Sequence, residues 1–161
     1  MLLKRIIPLT AALALGACVS TTQPTQSVST SNTAVTSQGG SFSTLLNDFR
    51  ASEGRRPVQR SAALDRAAKA HATDMVQRGY FSHQSPGGPN GARFIDRSRS
   101  AGCQSRSGAE NIATGQRSEA AVIEAWKNSA GHRRNMLGAN YTLYGLGRTD
   151  NIWVLVFSTS C

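Results

Sequence analysis

Six apolar residues stand in an unbroken run near the end of the chain: Ile152-Trp153-Val154-Leu155-Val156-Phe157. A strand with one wet face alternates apolar and polar side chains. An uninterrupted run of this length and β-branched content reads as a strand covered on both faces. The segment before it, Tyr141-Thr-Leu-Tyr-Gly-Leu-Gly147, is also β-rich, and only Arg148-Thr-Asp-Asn151 separates the two. That spacing predicts an antiparallel hairpin. The rest of the fold must therefore supply cover for a buried strand.

The residues upstream repeat with a helical period. Ser41 is a candidate N-cap, and Phe42, Leu45, Leu46 and Phe49 follow at helical spacing until Gly54. Arg55-Arg-Pro-Val-Gln-Arg60 reads as a loop. Ser61 is a second candidate cap, and Leu64, Ala68, His71 and Met75 share one face of a helix that stops near Gly79. On that apolar face His71 reads as a packed core or helix-edge histidine and not as a ligand. A turn-rich stretch, Ser82 to Gly91, leads to a short helix over 92–100. Ser118 opens a third long helix with Glu119 in its first turn, Val122, Ile123 and Trp126 on its buried side, and Gly131 ending or bending it. The pattern over 104–115 is indistinct and leaves room for further strands. Helices first and a hairpin last suggest an α+β fold with helices packed on a small sheet. No internal repeat is visible.

The first 17 residues carry Lys4 and Arg5, then an apolar run from Ile6 to Leu15 broken by Pro8 and Thr10. This is the form of a secretory leader, too short for a permanent span. Leu15-Gly-Ala-Cys18 resembles the lipoprotein signal, in which Cys18 becomes the lipidated first residue. The alternative is an ordinary leader that contains a cysteine. Without an aspartate after Cys18, the resemblance to Gram-negative lipoproteins favours the outer membrane. The stretch 18–41 is rich in Ser, Thr and Gln, uncharged and nearly without apolar residues, so it reads as a disordered tether. Residues 42–161 then form one domain of ordinary size. With Cys18 lipidated, Cys103 and Cys161 remain as a pair in an oxidising compartment. A disulfide is the simplest account and two free thiols the alternative.

The formal net charge is +9, and removal of 1–17 leaves it near +7. Such a chain is attracted to anionic envelope lipids or polymers. The basic residues are dispersed and not interleaved with stacking aromatics, which argues against nucleic acid as a partner. Oligomeric state is not legible.

Three residues carry candidate chemistry: His83 in Tyr-Phe-Ser-His, Glu110 in Gly-Ala-Glu-Asn-Ile-Ala, and His132 in Ser-Ala-Gly-His-Arg. Two imidazoles and a carboxylate can hold a divalent metal, zinc by donor type, and leave a position open. No single helix spans their separation. The same set could instead form a hydrogen-bonded cleft, with Glu110 accepting from nearby backbone N–H groups. Ser82, Ser85 and Ser129 lack a Gly-x-Ser-x-Gly elbow and an evident Asp partner, which disfavours a serine hydrolase. Trp126 reads as core. Asn135, Tyr141 and Tyr144 line the cleft or finish its loop. Gly145 and Gly147 permit close packing or a bulge, and Asp74 and Asp96 read as surface ion-pair partners.

The segments Leu45–Val58, Leu64–His83, Gly108–Gly115, Ala125–Leu137, Tyr141–Gly147 and Ile152–Phe157, in this order, resemble bacterial members of the CAP superfamily: the cysteine-rich secretory proteins, antigen 5 and plant pathogenesis-related proteins. The resemblance covers 42–161. It implies an α-β-α sandwich with a central antiparallel sheet, and a cleft of two histidines with one or two glutamates that can hold zinc. Carried over by motif, His83, Glu110 and His132 are the candidate metal ligands. The second glutamate of many eukaryotic members falls on Ser129 here, and Glu124 is not in register to replace it. The resemblance implies binding or scaffolding at the envelope surface more than turnover. The alternative is a metal-dependent hydrolase acting on peptide or cell-wall bonds, with Glu110 as ligand or base.

Overall fold

The computed structural model describes residues 41–88 and 90–161. The leader read at 1–17, Cys18 and the tether up to residue 40 lie outside the described residues. In chain order the elements are α1 (Phe42–Ser52), β1 (Gln59–Arg60), α2 (Ala62–Arg78), α3 (Phe94–Ser100), β2 (Gly108–Thr114), α4 (Glu119–Lys127), α5 (Ala130–Met136), β3 (Leu143–Thr149) and β4 (Ile152–Ser158).

The helix starts follow the expected caps. The Ser41 side chain accepts from the Thr44 N–H, Ser61 from Leu64 and Ser118 from Ala121. Each satisfies a backbone donor that the first helical turn leaves unpaired. α2 ends on Gly79 at φ +67°, the left-handed position that glycine occupies without a Cβ clash.

The sheet runs β1-β3-β4-β2. β3 and β4 form the expected hairpin, with Leu143 opposite Ser158 and Thr149 opposite Ile152. β2 pairs antiparallel on the other side of β4 and supplies the strand that the 104–115 pattern left open. The apolar run is thus the inner strand, paired along both edges. Its two faces separate by residue parity. Trp153, Leu155 and Phe157 pack with Phe42, Leu46, Val122, Ile123 and Trp126 of α1 and α4. Val154 and Val156 pack with Leu64, Ala68, Ala72 and Met75 of α2. This is the α-β-α sandwich, and it explains why β4 tolerates no polar position until Ser158.

Three expectations need correction. Arg55–Arg60 is not wholly loop, because Gln59 and Arg60 form β1, with Gln59 N–H donating to Thr142 O (2.9 Å) and Ser61 N–H to Tyr144 O (2.8 Å). Two residues carry no detectable period. β1 also runs parallel to β3, so the sheet is antiparallel only in its three longer strands. Finally, the third long helix is two helices. Asn128 closes α4, Ser129 turns extended at φ −103°, ψ 117°, and α5 starts at Ala130. Gly131 lies inside α5 and does not end it.

Gly145 and Gly147 are the seat of α2. A Cβ on Gly145 would stand 2.2 Å from the Leu64 carbonyl carbon, and one on Gly147 2.1 Å from the Lys69 nitrogen. Helix backbone meets strand backbone there, which only glycine permits. Cys103 and Cys161 form the disulfide, Cα atoms 4.4 Å apart. It ties the last residue to the loop after α3, and in the chain-entropy model such a closure stabilises the fold by roughly 4 kcal/mol.

Candidate functional site

The site is built on β2, whose outer edge has no strand neighbour. Successive side chains on a strand point to opposite faces. Ile112 packs in the α2 cluster, so Glu110 shares that face, while Asn111 shares the α4–α5 face with Ala113. One pair of neighbouring residues therefore reaches both layers.

On the α2 side, the Glu110 carboxylate is the hub. Its Oε2 accepts from Arg97 Nη2 at 2.8 Å, and both side chains are nearly closed to solvent. Its Oε1 accepts from His83 Nδ1 at 3.0 Å and lies 3.9 Å from His71 Nε2. Arg97 also donates to Ala92 O (2.7 Å) and His83 O (3.1 Å). One guanidinium thus holds the carboxylate and the backbone of the residue that bonds it. Charge-assisted bonds of this kind are the strong ones.

His83 sits on the segment after α2, and α2 pins that segment. His71 Nε2–H donates to Ser82 O at 2.9 Å. That bond fixes the tautomer, because a carbonyl only accepts. Burial pushes the His71 imidazole below its ordinary value, and this outweighs the opposing pull of the nearby Glu110 charge. Asp74 is a second clamp, accepting from Ser85 Oγ at 2.5 Å and from the Tyr80 hydroxyl. Burial acts to raise its carboxyl, but bonds from Ser85, Tyr80 and Arg78 hold it below the usual range. Its expected role as an ion-pair partner of a neighbouring base is thus only part of what it does. Asp96 keeps that simple role, paired with Arg93 at 3.0 Å.

On the other face, Asn111 Nδ2 donates to His132 O at 3.1 Å, and Asn135 Nδ2 donates to Asn111 Oδ1 (2.9 Å) and Glu110 O (3.3 Å). These bonds dock α5, which carries His132 in its first turn. Behind α5, the buried Arg50 guanidinium donates to Met136 O (2.6 Å) and Gly138 O (3.3 Å), at the negative end of the helix. Burial lowers the His132 imidazole, and the charge of His83 adds to that.

The structure brings His83 and Glu110 into direct contact and adds His71 and Arg97, which the sequence reading placed in the core and among dispersed surface charge. His132 bonds neither His83 nor Glu110 through its side chain among the described residues. Among those residues, no three His, Cys, Asp or Glu side chains come together closely enough to hold a metal ion. The three-ligand arrangement does not fit as it stands. Both Glu110 oxygens are engaged, and a guanidinium 2.8 Å away opposes a second cation there. Ser129 and Glu124 supply no further carboxylate, the latter pairing with Lys127 at 2.7 Å. Asn135 lines the site, Tyr141 stacks on Phe157, and Tyr144 and Trp126 are core.

The model of the cysteine-rich secretory protein (CAP) family matches residues 44–156. The chain is 39% identical over 115 residues to the protein YkwD of Bacillus subtilis, covering 70% of this chain and 44% of that one. It is 31% identical over 103 residues to the membrane protein YlbC of the same organism, covering 64% and 29%. The chain thus spans less than half the length of either relative. Among solved structures, an extracellular protein containing an SCP domain from Bacillus anthracis superposes with a TM-score of 0.68 at 28% identity, over 73% of this chain and 38% of the other. An outer surface protein of Borrelia burgdorferi shares the fold, with a TM-score of 0.63 at 21% identity, over 73% and 89%.

Proposed function

The chain belongs to the cysteine-rich secretory protein (CAP) family, and from that premise we propose that it is an exported, envelope-anchored protein whose cleft at the edge of β2 binds a partner and does not turn one over. The observation that carries this reading is the state of Glu110. A general base must lie within hydrogen-bond reach of a substrate proton. Glu110 is buried, with one oxygen on Arg97 and the other on His83. It orients His83 in the way a carboxylate behind an imidazole does in many sites. What is left to face a partner is imidazole. His83 is half-exposed, and its Nε2 has no hydrogen-bond partner among the described residues. Phe81, two residues away, is the exposed large apolar side chain among the described residues, at 49%. An aromatic ring beside an imidazole on a pinned segment suits binding.

Export is supported by the leader-like first 17 residues and by the extracellular SCP-domain relative. Attachment through Cys18, and the outer membrane as its location, rest on the lipoprotein-like motif. The reading includes the metal that the family resemblance implies, zinc by donor type, with His83, Glu110 and His132 as its candidate ligands, although these three do not meet as a metal-holding group among the described residues. Such an ion would supply Lewis acidity at the cleft. The residues themselves hold the rings in place, exclude water from Glu110, and keep a proton on His83 Nδ1.

Two measurements on the purified full chain test this. Equilibrium dialysis should find zinc bound by the wild type and lost in His83→Ala/His132→Ala, and equal zinc in both discards the metal. A screen of peptide and cell-wall substrates, with and without chelator, should find no turnover. Chelator-sensitive turnover that Glu110→Gln abolishes would establish the metal-dependent hydrolase instead.

A further inference from the structure

We propose that the hollow between α2 and α3 is a second binding site, built for a short peptide with both termini free. Two adjoining hollows, of about 260 and 250 Å³, lie along one face of α2. They share Ala70, Asn90 and Arg97 as lining, and His83, Glu110 and His132 line neither. The site is therefore distinct from the cleft, and its failure would leave the reading of the cleft untouched.

Its two ends carry opposite charge. Arg66, Ala70 and Asp74 are spaced four residues apart on α2, so they stand in one row on the same helix face. Eight residues at the helical rise separate Arg66 from Asp74 by about 12 Å. At one end, Arg66 is exposed and forms no ion pair with a carboxylate among the described residues. Its Nη2 donates to Ala101 O at 2.9 Å, which fixes the guanidinium and leaves its other donors for a ligand. At the other end, Asp74 Oδ2 takes the bonds from Ser85 and Tyr80. Asp74 Oδ1 has Arg78 at 3.4 Å, well beyond the roughly 2.7–2.9 Å of a charge-assisted bond. Arg78 is drawn instead to Pro86 O, the acceptor of its second nitrogen. Oδ1 therefore keeps capacity for an ammonium group. A Cβ on Gly88 would stand 3.4 Å from Asp74 Oδ2, and the glycine leaves that end clear.

Between the ends the wall is small and uncharged in effect. Ala67 and Ala70 present methyl groups, and Glu110 at 2.8 Å already answers the charge of Arg97. Asn90 supplies an amide, which matches a peptide bond as donor and as acceptor. An extended tripeptide is about 10–11 Å long, so it can set its carboxylate on Arg66 and its ammonium on Asp74. A neutral sugar would leave both end charges without a partner, and a simple anion would use Arg66 alone.

The test is calorimetric titration of the full chain with trialanine, N-acetyl-trialanine and trialanine amide, with amide shifts of the isotope-labelled protein locating the contact. Trialanine should bind saturably at millimolar concentration and shift Ala67, Ala70, Asn90 and Ala101. Each blocked form should bind roughly tenfold more weakly, the loss of one charged, hydrogen-bonded contact. Arg66→Gln should bind trialanine and its amide alike, while still preferring trialanine to the acetylated form. Ala70→Leu keeps a good helix former and fills the seam between the hollows, so it should lose binding of all three while its melting curve shows a folded chain. Blocked forms that bind as tightly as trialanine overturn the proposal, and so does an Arg66→Gln chain that still discriminates against the amide. Shifts centred on His83 and His132, or no saturable binding, overturn it as well. The blocked peptides change the ligand and not the protein, so misfolding of a variant cannot mimic their result.

Discussion

Arg97 and Glu110 together hold this site. Each is close to fully buried, and each satisfies the other. A buried ion pair is weak evidence for net stabilisation, but removing one partner strands a charge and costs about 3–5 kcal/mol. Arg97→Met should therefore cost about that much in urea unfolding. Arg97→Lys should recover little, because an ammonium cannot reach Glu110, Ala92 O and His83 O from one plane. Arg97→Met/Glu110→Gln should be more stable than Arg97→Met alone, since the stranded charge has gone. Additive costs in this cycle would mean that the two side chains act independently. The pair also marks what could be read at residue scale. His83 and Glu110 were legible because they stand in Tyr-Phe-Ser-His and Gly-Ala-Glu-Asn-Ile-Ala, segments that carry the family resemblance. Arg97 was not, because in the sequence it is one arginine among several in a short helix, and only the fold shows which of them points inward. His71 was legible as a buried helix residue, but its bond to Ser82 O is a tertiary fact that no spacing encodes.

At the scale of elements, the chain covers both exposed sheet edges with side chains. An unpaired edge invites association with another chain. On β3, Asp65 accepts from the Leu146 N–H and Lys69 donates to Arg148 O, one helical turn apart on α2. On β2, Asn135 donates to Glu110 O and Trp126 Nε1 to Ile112 O. The long helices and the hairpin were legible because their periods persist over many residues. β1 and the break between α4 and α5 were not, because a two-residue strand has no period and the break at Asn128-Ser129 contains neither Gly nor Pro. α2 reaches β3 closely only because Gly145 and Gly147 lack side chains. Gly147→Ala would place a methyl 2.1 Å from the Lys69 nitrogen, against backbone that has no rotamer to change. Overpacking of a rigid contact costs about 1–3 kcal/mol or more. Thermal unfolding should show a loss at least that large, with α2 moved off β3. A change smaller than about 0.5 kcal/mol, the range of ordinary surface substitutions, would mean that the helix seat is looser than described.

For the molecule as a whole, acid should be the sharper stress. The sandwich is closed by the disulfide, whose effect does not vary with pH while it stays oxidised. The site, by contrast, holds imidazoles that burial keeps neutral. The folded-state value of His71 lies below the ordinary imidazole value of 6.5, and that of His132 is lowered in the same direction. A histidine depressed in the folded state binds fewer protons there than in the unfolded chain, so stability rises with pH across its window. The contribution is fully present above the unfolded value, near 6.5. It is lost as pH falls from there through the depressed folded values. Asp74 acts in the same direction but at lower pH, because its carboxyl is held below 3.8. A melting series from pH 7.5 to pH 5 should therefore isolate the histidines and show a falling midpoint. In His71→Gln the slope over that window should be shallower, whatever the absolute stability, because His71 is the more deeply buried of the two. A wild-type midpoint that is flat or rising toward pH 5 would contradict the neutral, Ser82-bonded state of His71, and with it the pinning of the segment that carries His83.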